Sequence, residues 1–146
     1  MEGKYITVII ILLFNSCTRE PEGTRFTYYK DGTIRTINHF DNNIQQGPSY
    51  IFYENGNIKQ VEHFKDGSKN GMAYYFYRSG SLAQFRHWRN GLMNGYVADY
   101  YNDSMGMVMN VLLFNDSGQV QYKKTFDDHG FFIRDSGNKS SGLNQK

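Results

Sequence analysis

The sequence predicts an all-β fold, an elongated open antiparallel meander of tandem β-hairpins, and three observations carry that prediction. Large aromatic and aliphatic residues recur at a fixed spacing of 24. Two glycine-type turn signals punctuate each period. The composition, 12 Tyr, 11 Phe and 15 Gly against 2 Pro in 146 residues, favours strands joined by tight turns. A net charge of +2, built from 16 Lys+Arg scattered among 14 Asp+Glu, leaves no basic stripe for a phosphate backbone, so no nucleic-acid partner is expected.

The N-terminal element, residues 1–16, reads as a signal peptide. Lys4 precedes an apolar run from Tyr5 to Phe14, followed by the small residue Ser16. Ten helical residues reach about 15 Å, half of the roughly 30 Å hydrocarbon core, so the run is too short for a comfortable span. Cys17 is the single cysteine and can form no internal disulfide. In an exported chain, lipid attachment to this thiol after signal cleavage removes an oxidation liability. Residues 13–17, Leu-Phe-Asn-Ser-Cys, resemble a bacterial lipoprotein signal, with Asn15 departing from the small residue usual there. The resemblance implies a mature chain starting at Cys17 and held to a membrane by its acyl chains, with the polypeptide outside the bilayer. Residues 17–24 then read as anchor cysteine and tether, bearing charges, Pro21 and Gly23 without apolar alternation.

Residues 25–135 read as the repeat domain. Tyr29, Tyr53, Tyr77 and Tyr101 share one phase. So do Gly32, Gly56 and Gly80, with Ser104 in the fourth place, and Phe40, Phe64 and Trp88, with Leu112 as fourth member. One turn signal per unit is Asp31-Gly32, Asn55-Gly56 and Ser79-Gly80. The other is Asp66-Gly67 and Asn90-Gly91, with Asn42-Asn43 as the imperfect earlier copy. Segments of six to nine residues between turns are strand-length. Tyr50 and Phe52, like Tyr74 and Phe76, mark one face. Ile51 and Tyr75 fall on the other, so both faces are expected to be aromatic and the sheet covered or strongly coiled. Ile34-Ile37-Phe40, and its copies Ile58-Val61-Phe64 and Leu82-Phe85-Trp88, step by three, which a regular strand cannot hold on one face; a β-bulge repeated in each unit is expected. Gly47, Gly71 and Gly95 precede the Tyr50-type strands and kink the chain into the next hairpin. Beyond Tyr101 the glycine columns fail, and Met105, Met107 and Met109 are expected to fill an irregular end of the array. Residues 136–146, with Leu143 as their single apolar side chain, read as a disordered tail.

These columns resemble the MORN-type repeat, in the variant common in exported bacterial proteins. The unit from Tyr53 through Gly56, Ile58, Phe64 and Gly67 to Gly71 carries the likeness, and the unit from Tyr77 to Gly95 repeats it. The resemblance covers residues 26–101 and continues loosely to Gly130. It implies a row of hairpins in a curved open sheet and supplies no catalytic residue. Some bacterial members are named antitoxins of toxin–antitoxin pairs; others are linked to membrane association or scaffolding.

Candidate sites are few. His39, His63 and His87 recur at 24, but neighbours two strand spacings apart, roughly 9–10 Å, cannot share one metal ion, and no metal site is expected. Asp127-Asp128-His129 lacks a nucleophile, no serine stands in a strand–turn–helix elbow, and no helix follows a glycine run to hold a phosphate. The chain therefore reads as non-enzymatic and without cofactor. Aromatic rows are the better candidates, as a groove stacking peptide or sugar rings. Tyr53, Tyr77, Trp88 and Arg86 are the residues of that surface, toward an unidentified protein or glycan partner. The function expected is an envelope-anchored lipoprotein acting as a binding or scaffold module. The alternative is an antitoxin or immunity-type protein that binds a partner toxin. An open sheet leaves edge strands for partner pairing.

Overall fold

The computed structural model describes residues 23–102 and 105–137. They form one antiparallel sheet of twelve strands and no helix. The strands are β1 (Gly23–Tyr28), β2 (Ile34–Asp41), β3 (Ile44–Phe52), β4 (Ile58–Lys65), β5 (Ser68–Lys69), β6 (Gly71–Phe76), β7 (Leu82–Arg89), β8 (Leu92–Met93), β9 (Gly95–Tyr100), β10 (Val108–Phe114), β11 (Val120–Phe126) and β12 (Phe132–Gly137). Their spatial order follows chain order, with β5 and β8 as short spurs pairing β4 and β7, and the sheet does not close. The open meander expected from the repeat is thus observed. The first strand takes up Gly23 and Thr24 from the segment read as tether, and the last reaches Ser136 and Gly137.

Turn chemistry explains the hairpins. On one edge of the sheet, Asp66 and Gly67 adopt φ of 51° and 75°, and Asn90 and Gly91 adopt 50° and 81°. These are the left-handed pairs of a two-residue hairpin turn. Asn42 and Asn43, at 48° and 64°, do the same without glycine because the short amide side chain tolerates this region. On the other edge four turns close alike: Tyr29 N–H bonds Thr33 O (2.8 Å) and Gly32 N–H bonds Tyr29 O (3.1 Å), and the pattern recurs at Tyr53, Tyr77 and Asp127, while Tyr101 N–H reaches Met107 O (2.9 Å) across a longer loop.

The expected bulge recurs through the array. Tyr28 pairs with Ile34 while Thr27 pairs with Thr36, so Arg35 is the extra residue. The same skip leaves Lys59, Ala83, Met109 and Ile133 unpaired. Each skip resets strand parity, which brings Ile34 onto the face of Ile37, and Ile58 onto that of Val61; the third members of these series, Phe40 and Phe64, fall instead on the opposite face because the strand is regular beyond the skip.

Register also corrects one expectation and refines another. Phe64 lies opposite Gly47 and Trp88 opposite Gly71, but the residue opposite Gly95 is Phe114. The fourth aromatic of that column is therefore Phe114, not Leu112, because the loop after Tyr101 is two residues longer than its counterparts; Ser104, expected in the glycine column, lies outside the described residues. The faces differ from each other more than expected. Ile51 and Tyr75 lie in a row with Thr27, Thr36, Gln60, Gln84, Asp99, Asn110 and Thr125. The same face, the polar face, also carries the aromatic column Phe40, Phe64, Trp88 and Phe114, so rings stand on both faces as expected, but the other face alone is apolar along whole rows.

Candidate functional site

The apolar face is built from rows that cross the strands. One row runs Tyr28, Ile34, Phe52, Ile58, Phe76, Leu82, Tyr100, Val108, Phe126, Phe132 without a polar interruption over ten strands. A second row, starting at Phe26, Ile37, Tyr50, Val61, Tyr74 and Phe85, stays apolar until Lys124 and Asp135, which lie opposite each other. A third contains His63, Met72, His87, Tyr96, Leu113 and Tyr122. Ring contacts stitch the rows: Tyr74 and Phe85 centroids are 5.6 Å apart, and Phe126 meets Phe132 edge-on at 6.1 Å. All strands belong to the single sheet, so among the described residues no second layer covers this face. Phe26 (47%), Tyr28 (58%), Met72 (50%) and Tyr96 (64%) are correspondingly exposed.

The polar face is the more enclosed. The buried apolar residues Ala73, Val97 and Phe114 and the buried polar residues Ser49 and Glu62 all lie on it. Its side chains satisfy one another. Thr27 and Thr36 hydroxyls are 2.7 Å apart, Ser49 Oγ donates to Asn38 Oδ1 (2.6 Å), and Thr125 Oγ1 donates to Asn110 Oδ1 (3.0 Å). Glu62 is the charged centre, 3% exposed, with Lys69 Nζ at 2.5 Å and the Tyr75 hydroxyl donating to the same Oε1. Burial first, and then the hydrogen bond and negative charge of Glu62, push the Tyr75 hydroxyl well above its ordinary pKa. Lys69 Nζ also stands 5.0 Å from the Trp88 ring centroid, and the Arg86 guanidinium 5.4 Å from the Tyr75 ring. This network escaped the reading of candidate sites. Its signal was present as a polar column, Asn38, Glu62 and Arg86, at the 24-residue spacing, each directly following an apolar residue of the repeat, Ile37, Val61 and Phe85.

The four residues expected to form a binding surface fall into two places. Arg86 and Trp88 sit two apart on β7, on the polar face; Arg86 donates to Gln84 Oε1 (2.9 Å), and the Trp88 N–H is buried without a hydrogen bond of good geometry. Tyr53 and Tyr77 stand at the turn edge. Tyr53 Oη donates to Phe76 O at 2.8 Å and Tyr77 Oη to Tyr100 O at 2.8 Å; Tyr29 and Tyr101 reach Phe52 O and Phe126 O in the same way. Each repeat tyrosine therefore fastens its own unit to the next. The bulge cations Arg35 and Lys59 lie 5.9 and 5.6 Å from the rings of Tyr29 and Tyr53. Cys17 and the signal-like segment lie outside the described residues.

The histidine ladder is backbone-bound: Nδ1 of His39, His63 and His87 is 2.8–3.0 Å from Pro48 O, Met72 O and Asn94 O, where only a protonated Nδ1 can donate. Ligand atoms of Asp127, Asp128 and His129 lie within 4.8 Å of one another. Asp127 Oδ1 already accepts the His129 and Phe131 amides at 3.0 and 2.8 Å, as a turn residue does.

The MORN repeat variant family pattern matches residues 21–42 and 45–66, which supports the MORN-type reading of the array. No curated protein matches the sequence. Among solved structures, the crystal structure of accessory secretory protein 1, 2 and 3 in Streptococcus pneumoniae is similar at 15% identity and a TM-score of 0.23. The similarity covers 82% of this chain and 18% of that one, so the chain spans under a fifth of that relative's length.

Proposed function

We propose that the protein is an envelope-anchored lipoprotein whose MORN-type sheet is a non-catalytic binding or scaffold module, with the apolar face as its docking surface. The observation that carries this reading is the ten-strand apolar row that no other layer of the described residues covers. A contiguous apolar surface larger than a few hundred Å² is uncommon on a soluble monomer and marks an interaction site. The polar face supports it by contrast, since its hydrogen-bonding groups are largely taken up by one another and by Lys69. Anchoring rests on Cys17 behind a short apolar segment.

Metabolic acyl labelling with membrane fractionation tests the anchor: wild type is expected to carry label in the membrane fraction, and Cys17→Ala to lose both. Label retained by Cys17→Ala would sink the anchor. Recovery of an unprocessed chain in the soluble fraction, bound to a toxic neighbour, would favour the immunity-type alternative instead.

A further inference from the structure

We propose that the apolar face is covered by the same face of a second copy of this chain, giving a two-layer β-sandwich dimer. The proposal rests on the reading of that face as a docking surface and names its occupant. A sheet is apolar on one face because that face packs on another layer, and stable domains have two layers around a shared core. Here the described residues supply one layer, with three buried apolar side chains, Ala73, Val97 and Phe114, all on the opposite face.

The dimensions fit a dimer. Ten strands along the sheet path leave nine spacings of about 4.8 Å, a length of about 43 Å. Three side-chain rows along strands rising about 3.3 Å per residue give a width of about 20 Å, hence about 850 Å² per copy. Two such faces bury about 1,700 Å², the size of a stable specific interface, near 1,600 Å².

Charge selects the occupant. Across the three rows the charged residues are Lys124 and Asp135, of opposite sign and directly opposite in register; Asp41, Lys65 and Arg89 follow on the same face only beyond the third row, at the turn edge, and the three-row surface itself carries no formal net charge. It offers nothing to attract an acidic or basic partner, and nothing that repels its own copy. Two identical right-twisted sheets pack face to face within about 30°. A two-fold axis puts the same patch on both sides. Midway along the strand order it passes between β6 and β7, at the Tyr74–Phe85 ring pair. Tyr28, near one end, then faces the partner's Phe132 end, and Lys124 and Asp135 fall at the rim where water reaches them.

The test places the photo-crosslinker p-benzoylphenylalanine in the full-length chain, expressed in its own envelope, at Tyr74, at Tyr28, and at Gln60 on the polar face. A coexpressed tagged copy identifies homodimers. The expected result is a tagged homodimer from Tyr74 linked near itself, from Tyr28 linked to β12, and none from Gln60. Because the probe is aromatic, Tyr74 and Tyr28 tolerate it, and circular dichroism checks that each variant keeps its sheet. Adducts of Tyr74 and Tyr28 with a different protein alone would overturn the dimer and leave the face as a docking surface. No adduct from either position would overturn both. Homodimer adducts of equal yield from Gln60 would overturn the face assignment.

Discussion

Lys69→Met is the substitution with the most to lose in the polar network. It removes the cation 2.5 Å from Glu62, whose side chain is 4% exposed, and leaves a buried carboxylate held by the Tyr75 hydroxyl. Breaking a buried pair on one side costs about 3–5 kcal/mol. Lys69 is itself 35% exposed, so solvent screens part of the interaction and the cost falls to about 2–3 kcal/mol. At about 4 °C per kcal/mol for a domain of this size, the midpoint drops by about 8–12 °C.

The array contains its own control. Register makes Arg86 and then Leu112 the counterparts of Glu62, and Met93 the counterpart of Lys69, so the scaffold already accepts apolar groups there. The triple change Glu62→Leu, Lys69→Met and Tyr75→Phe is expected to lie within about 1 kcal/mol of wild type, since replacing every member of a buried network by apolar groups leaves nothing unpaired. Urea unfolding followed by Trp88, the sole tryptophan and the ring that Lys69 overlies, reads the transition, with circular dichroism as the second probe. A Lys69→Met chain as stable as wild type, or a triple variant no better than Lys69→Met alone, would refute the argument.

Three further outcomes follow from the same geometry. Tyr53→Phe deletes the 2.8 Å bond to Phe76 O and is expected to cost about 1 kcal/mol in thermal unfolding, whereas Tyr74→Phe, whose hydroxyl reaches only Met72 Sδ, should cost less than about 0.5. Gly91→Ala meets no neighbour within 4 Å but must hold φ near 81°, so its cost in denaturant titration is conformational, about 1–2 kcal/mol, and Gly91→Asn should recover most of it because Asn43 holds the equivalent turn position. The raised Tyr75 pKa means that folding favours the neutral phenol: its contribution is complete below the ordinary tyrosine value of 10.0 and is lost as pH rises past it, a loss that a pH titration of stability should find reduced in Tyr75→Phe.

Much of the fold was legible because turns and strands are local. Asp66-Gly67 and Asn90-Gly91 announce left-handed turns wherever they stand, and the three-residue step from Ile58 to Val61 is met by the bulge at Lys59, whereas Phe64 falls on the opposite face. Legibility failed where a long-range quantity intervened. Counting by 24 past Tyr101 put Leu112 in the aromatic column, although the longer loop there shifts the phase and seats Phe114 opposite Gly95. Aromatic rings on both faces were legible, with Phe64 and Trp88 on the face of Tyr75, but the polar groups between them were not, because they arrive from cross-strand neighbours such as Thr36 beside Ile51 and Gln84 beside Tyr75. The repeat tyrosines stood out as aromatic rows, but what their hydroxyls do is decided 23 residues away, where Phe76 O and Tyr100 O arrive in space.

That division between the faces explains how a single layer of short strands holds its shape. Unit-to-unit fastening runs through donors and acceptors: the tyrosine clamps along one edge, Asp116 accepting from Arg89 and Asn94 at 2.9 and 2.6 Å on the other, and the Glu62 network between them. Hydrogen bonds are directional and therefore set register, whereas apolar contact rewards area without fixing it. With register secured on the polar side, residues of the apolar rows vary among Tyr, Phe, Ile, Val and Leu from unit to unit without disturbing the array. Their burial is then available to whatever layer closes over them, and its absence should register as weak stability of the isolated sheet, since little hydrophobic surface is removed from water until that layer arrives.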